Sequence, residues 1–143
     1  MEKGTDRFLK YAAGLISLLW FYAAVSKLLN FQYFEEAMHK QPLGGSLQTL
    51  LIYGLPPVEV LAGILLIVRK TMLPGLYISA VLFLIFTIYT GLILFRFFHH
   101  IPCACGGLIE HMGWKFHLGF NITFLALSAA SIIIFKRKEA GDI

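Results

Sequence analysis

Charge is scarce in this chain. Asp, Glu, Lys and Arg make up 14% of the 143 residues, against 58% that are hydrophobic, and mean hydropathy is +0.75. A soluble domain of this length cannot hide so much apolar surface, which excludes a water-soluble globule and requires lipid to cover part of the chain. No hydrophilic stretch is long enough to fold separately, and neither an internal repeat nor a low-complexity segment is present, so one membrane domain over 1–143 is expected. Cysteine is scarcer still: Cys103 and Cys105 are the only two. No framework of disulfides can be built from them. The net charge of +4 would suit a nucleic-acid binder, but the basic residues sit in short flanks between apolar runs, which excludes that reading.

What the chain does hold is long apolar runs. A helix crosses the hydrocarbon layer with about 20 residues, and four runs meet that length, over 8–29, 50–68, 73–98 and 116–135. The first could be mistaken for a cleaved signal peptide, but Ala23-Ala24-Val25 continues directly into Ser26-Lys27 and three further runs follow, as in a retained helix. The expected fold is an all-α, four-helix transmembrane bundle. Pro56 and Pro57 are expected near the outer end of the second span, where a missing backbone donor is tolerated or produces a kink.

Basic flanks set the expected orientation. Lys3, Arg7, Lys10, Arg69, Lys70, Lys136, Arg137 and Lys138 share one side if the spans alternate, while Lys27, Lys40, Arg96 and Lys115 fall on or towards the other. The larger group marks the cytoplasmic face. Both termini are then inside, and the loops over 30–49 and 99–115 face outwards. In a bacterial inner membrane that outer face is the oxidising periplasm.

The second outer loop reads His99-His100-Ile101-Pro102-Cys103-Ala104-Cys105-Gly106-Gly107. A bridge across one intervening residue closes a small ring far from the relaxed geometry of structural disulfides. It shuts almost no loop, so it adds little to folding stability, whereas strain makes it easy to reduce. Gly106 and Gly107 allow close backbone approach, and His99, His100, His111 and His117 are within sequence range to lower a thiol pKa. Three readings stand for the pair: inert thiols, an exchanging redox pair, or ligands for a soft ion such as Cu(I) or zinc.

Polar residues inside the spans form a second group. A mid-bilayer charge costs about 2.5–3.5 kcal/mol on insertion, so such charges usually face protein or water. Lys27 and Arg96 lie near the outer ends of their helices and are expected to reach the headgroups by snorkelling. Glu59 lies too deep for that, roughly 14 Å from the cytoplasmic flank at about 1.5 Å per residue. It is expected either to be neutralised, by protonation or by pairing with Lys27, or to relay protons or hold a polar headgroup. His117 and Asn121 stand one helical turn apart and could line the same cavity. An aromatic pocket for a quinone ring would draw on the abundant aromatic residues.

The block Pro102-Cys103-Ala104-Cys105-Gly106-Gly107-Leu108-Ile109-Glu110, followed by Gly113-Trp114, His117 and Asn121, resembles the MauE branch of the DoxX-like membrane proteins. Ala24-Val25-Ser26-Lys27-Leu28-Leu29 and Pro57-Val58-Glu59 are similar to the same family. The resemblance implies a four-helix bundle that works with a periplasmic thioredoxin-like partner and assists maturation of a disulfide-rich enzyme subunit in methylamine utilisation. It also implies thiol–disulfide exchange at Cys103 and Cys105, by analogy with quinone-linked thiol oxidases of the DsbB and vitamin K epoxide reductase type. Those oxidases commonly use a second cysteine pair, so here any relay must run directly from Cys103 and Cys105 to a partner or to an acceptor such as a quinone. A non-catalytic scaffold or anchor subunit is the competing expectation, with a copper-binding membrane protein as a further alternative.

Overall fold

The computed structural model describes residues 2–95 and 113–141. Five α-helices follow one another: α1 (Glu2–Leu29), α2 (Phe31–His39), α3 (Gly45–Ile67), α4 (Met72–Leu94) and α5 (Trp114–Glu139). A 3-10 turn, Arg69–Thr71, joins α3 to α4. Four of the helices are long and apolar enough to cross a membrane. The chain is an all-α membrane protein built as a four-helix bundle, with α2 as a short addition at one end.

A short connection, the 3-10 turn, sets α4 beside α3. α1 packs chiefly on α3 and α4 on α5, and contacts of α3 with α4 and α1 with α5 close the ring. Ile16, Trp20, Ala62, Leu66, Leu76 and Phe83 form the centre of the core. Trp20 stacks on Phe83 at 4.6 Å between ring centroids, and its indole Nε1 donates to Ser79 Oγ at 2.8 Å, binding α1 to α4 across the bundle. Tyr11, Leu18, Leu50, Tyr53 and Phe116 stay exposed, which suits an outer surface solvated by lipid.

Hydroxyl groups in an apolar medium need acceptors, and the helices supply them internally. Ser79 donates to Gly75 O at 2.8 Å, Thr87 to Phe83 O at 2.6 Å, Thr90 to Phe86 O at 2.6 Å and Ser131 to Leu127 O at 2.8 Å. Ser17 instead reaches another helix, donating to Gly63 O at 2.9 Å. Where polar groups gather at the other end, Asp6 accepts from Arg69 at 3.1 Å and also pairs with Lys138. One carboxylate thereby ties α1, the 3-10 turn and α5.

Two expectations are corrected. Residues 30–49 are not simply a loop: α2 forms there, burying Phe34, Ala37 and Met38, with Phe34 and Met38 packed against Ile52 of α3. Helix α3 also begins at Gly45, earlier than the expected start at 50, which places Pro56 and Pro57 well inside it rather than near its outer end. Neither ring nitrogen can donate to the carbonyls of Ile52 and Tyr53, so the helical ladder is interrupted shortly before Glu59.

Close approach near the turn fixes one glycine. A Cβ on Gly75 would stand 3.0 Å from Leu66 N and 3.1 Å from Leu65 C, atoms of the opposing backbone. At Gly63 the nearest atom, also at 3.0 Å, is the far edge of the Phe21 ring. A ring can tilt, whereas backbone must move the helix. Gly75→Ala is therefore expected to lower bundle stability by about 1–3 kcal/mol and Gly63→Ala by clearly less. Thermal unfolding of both variants in detergent checks the order, and equal midpoints would contradict it.

Candidate functional site

The buried polar residues converge at the end of the bundle that carries α2. Lys27 sits in the last turn of α1, and Glu59 follows the two prolines of α3. Lys27 Nζ lies 2.8 Å from Glu59 Oε1, and the two side chains are 3% and 1% exposed. This ion pair replaces the snorkelling expected of Lys27, because the ammonium points across to α3 rather than out to the headgroups. The ammonium also lies 3.4 Å from Ala23 O and 5.8 Å from the centroid of the Phe34 ring, so α2 covers the pair from above.

Helix α5 brings His117 and Asn121 to the same place. Both are buried, and His117 stacks beside Trp114 with 6.2 Å between ring centroids. Their spacing of four residues puts them on one helix face, and that face turns inward. Lys27, Glu59, His117 and Asn121 all line one cavity of about 360 Å³. Its remaining wall is mostly apolar, with Trp20, Phe83, Phe86 and Phe120 from three helices and leucines from α3.

Two atoms at this site lack partners among the described residues: Glu59 Oε2 and Asn121 Nδ2. One is an acceptor and the other a donor, both on cavity-lining residues. A buried polar atom without a hydrogen bond costs about 1–3 kcal/mol, a penalty that the packing around it must offset.

Four of the residues expected at the site are thus brought together. Arg96, Cys103 and Cys105 lie outside the described residues, as do His99, His100 and His111. The helices on either side of that segment in sequence both reach the cavity. Tyr89, in the last turns of α4, and Trp114, the first residue of α5, both line it.

The family model described as Methylamine utilisation protein MauE matches residues 5–135. The chain belongs to the MauE family. That match takes in nearly the whole bundle together with both cysteines. No curated protein and no solved structure matches the chain.

This MauE family member has a polar framework that hydropathy did not reveal. Gln48 Nε2 donates to Gln41 O at 2.9 Å and to His39 O at 3.3 Å, and Gln41 Nε2 donates to Ala37 O at 3.0 Å. These bonds use carbonyls at the end of α2 that have no partner within a helix. Tyr89 OH donates to Gln41 Oε1, which fastens the same network to α4. Gln41 and Tyr89 also line the cavity, so the network forms part of its rim. Polar residues at 41 and 48, within a segment expected to be a loop, gave no reason to look for burial. The signal that could have found α2 was the apolar spacing of Phe31, Phe34 and Met38.

Proposed function

We propose that this MauE family protein is a membrane component of thiol–disulfide exchange, with Cys103 and Cys105 as the exchanging pair and a thioredoxin-like protein as partner. Both termini are cytoplasmic in this reading, and the cysteines face the periplasm from a bacterial inner membrane. The observation that supports it is positional. Helices α4 and α5, which flank the cysteine segment in sequence, both line the cavity that Lys27, Glu59, His117 and Asn121 share. The eight basic residues at the opposite end support the orientation.

The exchange balances within the two proteins. A thiolate of the partner attacks one sulfur of the Cys103–Cys105 bridge, breaking that S–S bond and forming a mixed disulfide. The partner's second thiolate then displaces it. The partner leaves as a disulfide, oxidised by two electrons, and Cys103 and Cys105 leave as thiols holding the two protons that the partner released. Run backwards, the same steps carry electrons to the partner. Lys27, Glu59, His117 and Asn121 have supporting roles in this reading, not bond-making ones.

Single-cysteine variants test it. One of Cys103→Ser and Cys105→Ser is expected to accumulate a mixed disulfide with a periplasmic protein after acid quenching and alkylation, because its remaining thiolate can open a disulfide of the partner while this chain holds no second thiol to complete the exchange. If neither exceeds the background of the doubly substituted protein, the pair does not exchange. A membrane-impermeant maleimide added outside intact cells is expected to label the reduced pair, and labelling only after lysis would overturn the orientation.

A further inference from the structure

We propose that a second cavity, at the end of the bundle opposite α2, binds the phosphate headgroup of an anionic phospholipid. It measures about 420 Å³ and lies where the start of α1, the 3-10 turn and the end of α5 meet. Three cations, Lys10, Arg69 and Lys138, line it together with two carboxylates, Asp6 and Glu139. The balance is one positive charge, which a single phosphodiester neutralises. The cations are gathered and within reach. Arg69 Nη2 and Lys138 Nζ both contact the same oxygen, Asp6 Oδ1, so an anionic oxygen already sits between them. Each has more N–H donors than that contact uses. The side chains of Arg69, Asp6 and Lys138 are 64%, 33% and 24% exposed, so the cluster is open to a ligand. Lys10 stands one turn from Asp6 on the same face of α1, and no described residue forms an ion pair with it.

The apolar lining selects a lipid over a free phosphate. Leu9, Met72 and Phe135 floor the cavity, and Ile67, 65% exposed, carries that lining to the outer surface of the bundle. A soluble phosphate has nothing to place there, whereas a phospholipid sets its glycerol and first acyl carbons against it. A zwitterionic lipid brings the same chains but leaves the surplus positive charge unmatched. Basic clefts between membrane helices hold anionic headgroups on this principle. Arg69 suits the role because its planar fork meets two phosphate oxygens at once.

The site depends neither on the cysteines nor on which side of the membrane it faces, and purified protein tests it. The protein in detergent is titrated with dioleoyl phosphatidylglycerol, dioleoyl phosphatidylcholine, or glycerophosphoglycerol, which is the anionic headgroup without chains. Binding of the first molecule is read by native mass spectrometry. Phosphatidylglycerol is expected to bind roughly fivefold more tightly than phosphatidylcholine, the effect of one matched charge near a membrane surface. Glycerophosphoglycerol is expected not to bind at concentrations where the lipid saturates. Lys10→Gln is expected to weaken phosphatidylglycerol roughly fivefold. Lys40→Gln removes the same charge at the α2 end and is expected to leave that affinity unchanged. Equal affinity for the two lipids, glycerophosphoglycerol binding as tightly as phosphatidylglycerol, or Lys10→Gln losing no more than Lys40→Gln would each overturn the proposal.

Discussion

Replacing Lys27 by Met is expected to destabilise the bundle by about 3–5 kcal/mol, the penalty for breaking a buried ion pair from one side. The geometry makes this one of the two most damaging single changes. Both partners are almost fully buried, the contact is 2.8 Å, and Glu59 Oε2 already lacks a hydrogen bond among the described residues. Removing the ammonium leaves a carboxylate in an apolar medium with no counter-charge among the described residues. Glu59→Leu is expected to be comparably harmful for the opposite reason, because it strips Lys27 of that counter-charge. The double variant Lys27→Met/Glu59→Leu is expected to recover much of the loss, since well-packed apolar groups can replace a buried pair at little cost. Equilibrium unfolding in mixed detergent micelles across the full mutant cycle measures the coupling. Single variants that each lose less than about 1 kcal/mol would show that the pair is solvated.

Trp20→Ala carries the second large expected effect, again about 3–5 kcal/mol, as for other large aromatic residues removed from a core. Trp20 is 2% exposed, lies on Phe83 and fills the space between α1 and α4. It also lines the cavity, so truncation joins the lost volume to the cavity instead of leaving a sealed void. Trp20→Phe is expected to cost far less, about 1 kcal/mol, since most of the ring contact survives and a single hydrogen bond is lost. Ser79 then keeps its bond to Gly75 O and is not stranded. Thermal unfolding of both variants separates the two contributions, and similar losses would mean that the indole N–H, not the ring volume, matters most.

How much of this was legible from residues alone depends on the length scale of the signal. Long apolar runs carry their own signature, so an all-α bundle with four spanning helices could be read directly. The convergence of Glu59 with Lys27, and of His117 with Asn121, was legible in outline because each charged or polar residue interrupts an apolar run and must find company. Helix α2 was harder. Its nine residues supply just three buried positions, and Gly44, Gly45 and Ser46 behind it resemble a loop. The same glycines hid the true start of α3, so the prolines were expected at an end and stand instead inside the helix. The snorkelling expected of Lys27 failed because sequence position near a helix end does not report which way a side chain turns. Rotation of α1 about its axis decides that, and it is set by the packing of Trp20 and Ile16 on the core.

Lys27 and Glu59 also bear on how the protein is made. They belong to α1 and α3, of which α1 leaves the ribosome earlier, and each segment alone brings a charge into hydrocarbon at about 2.5–3.5 kcal/mol. Joined, the two bring no net charge. The early segment gains by waiting beside the insertion machinery until the next arrives, and the pair can then enter the bilayer as a hairpin. The bundle would accordingly grow from this hairpin, with α4 and α5 added to it.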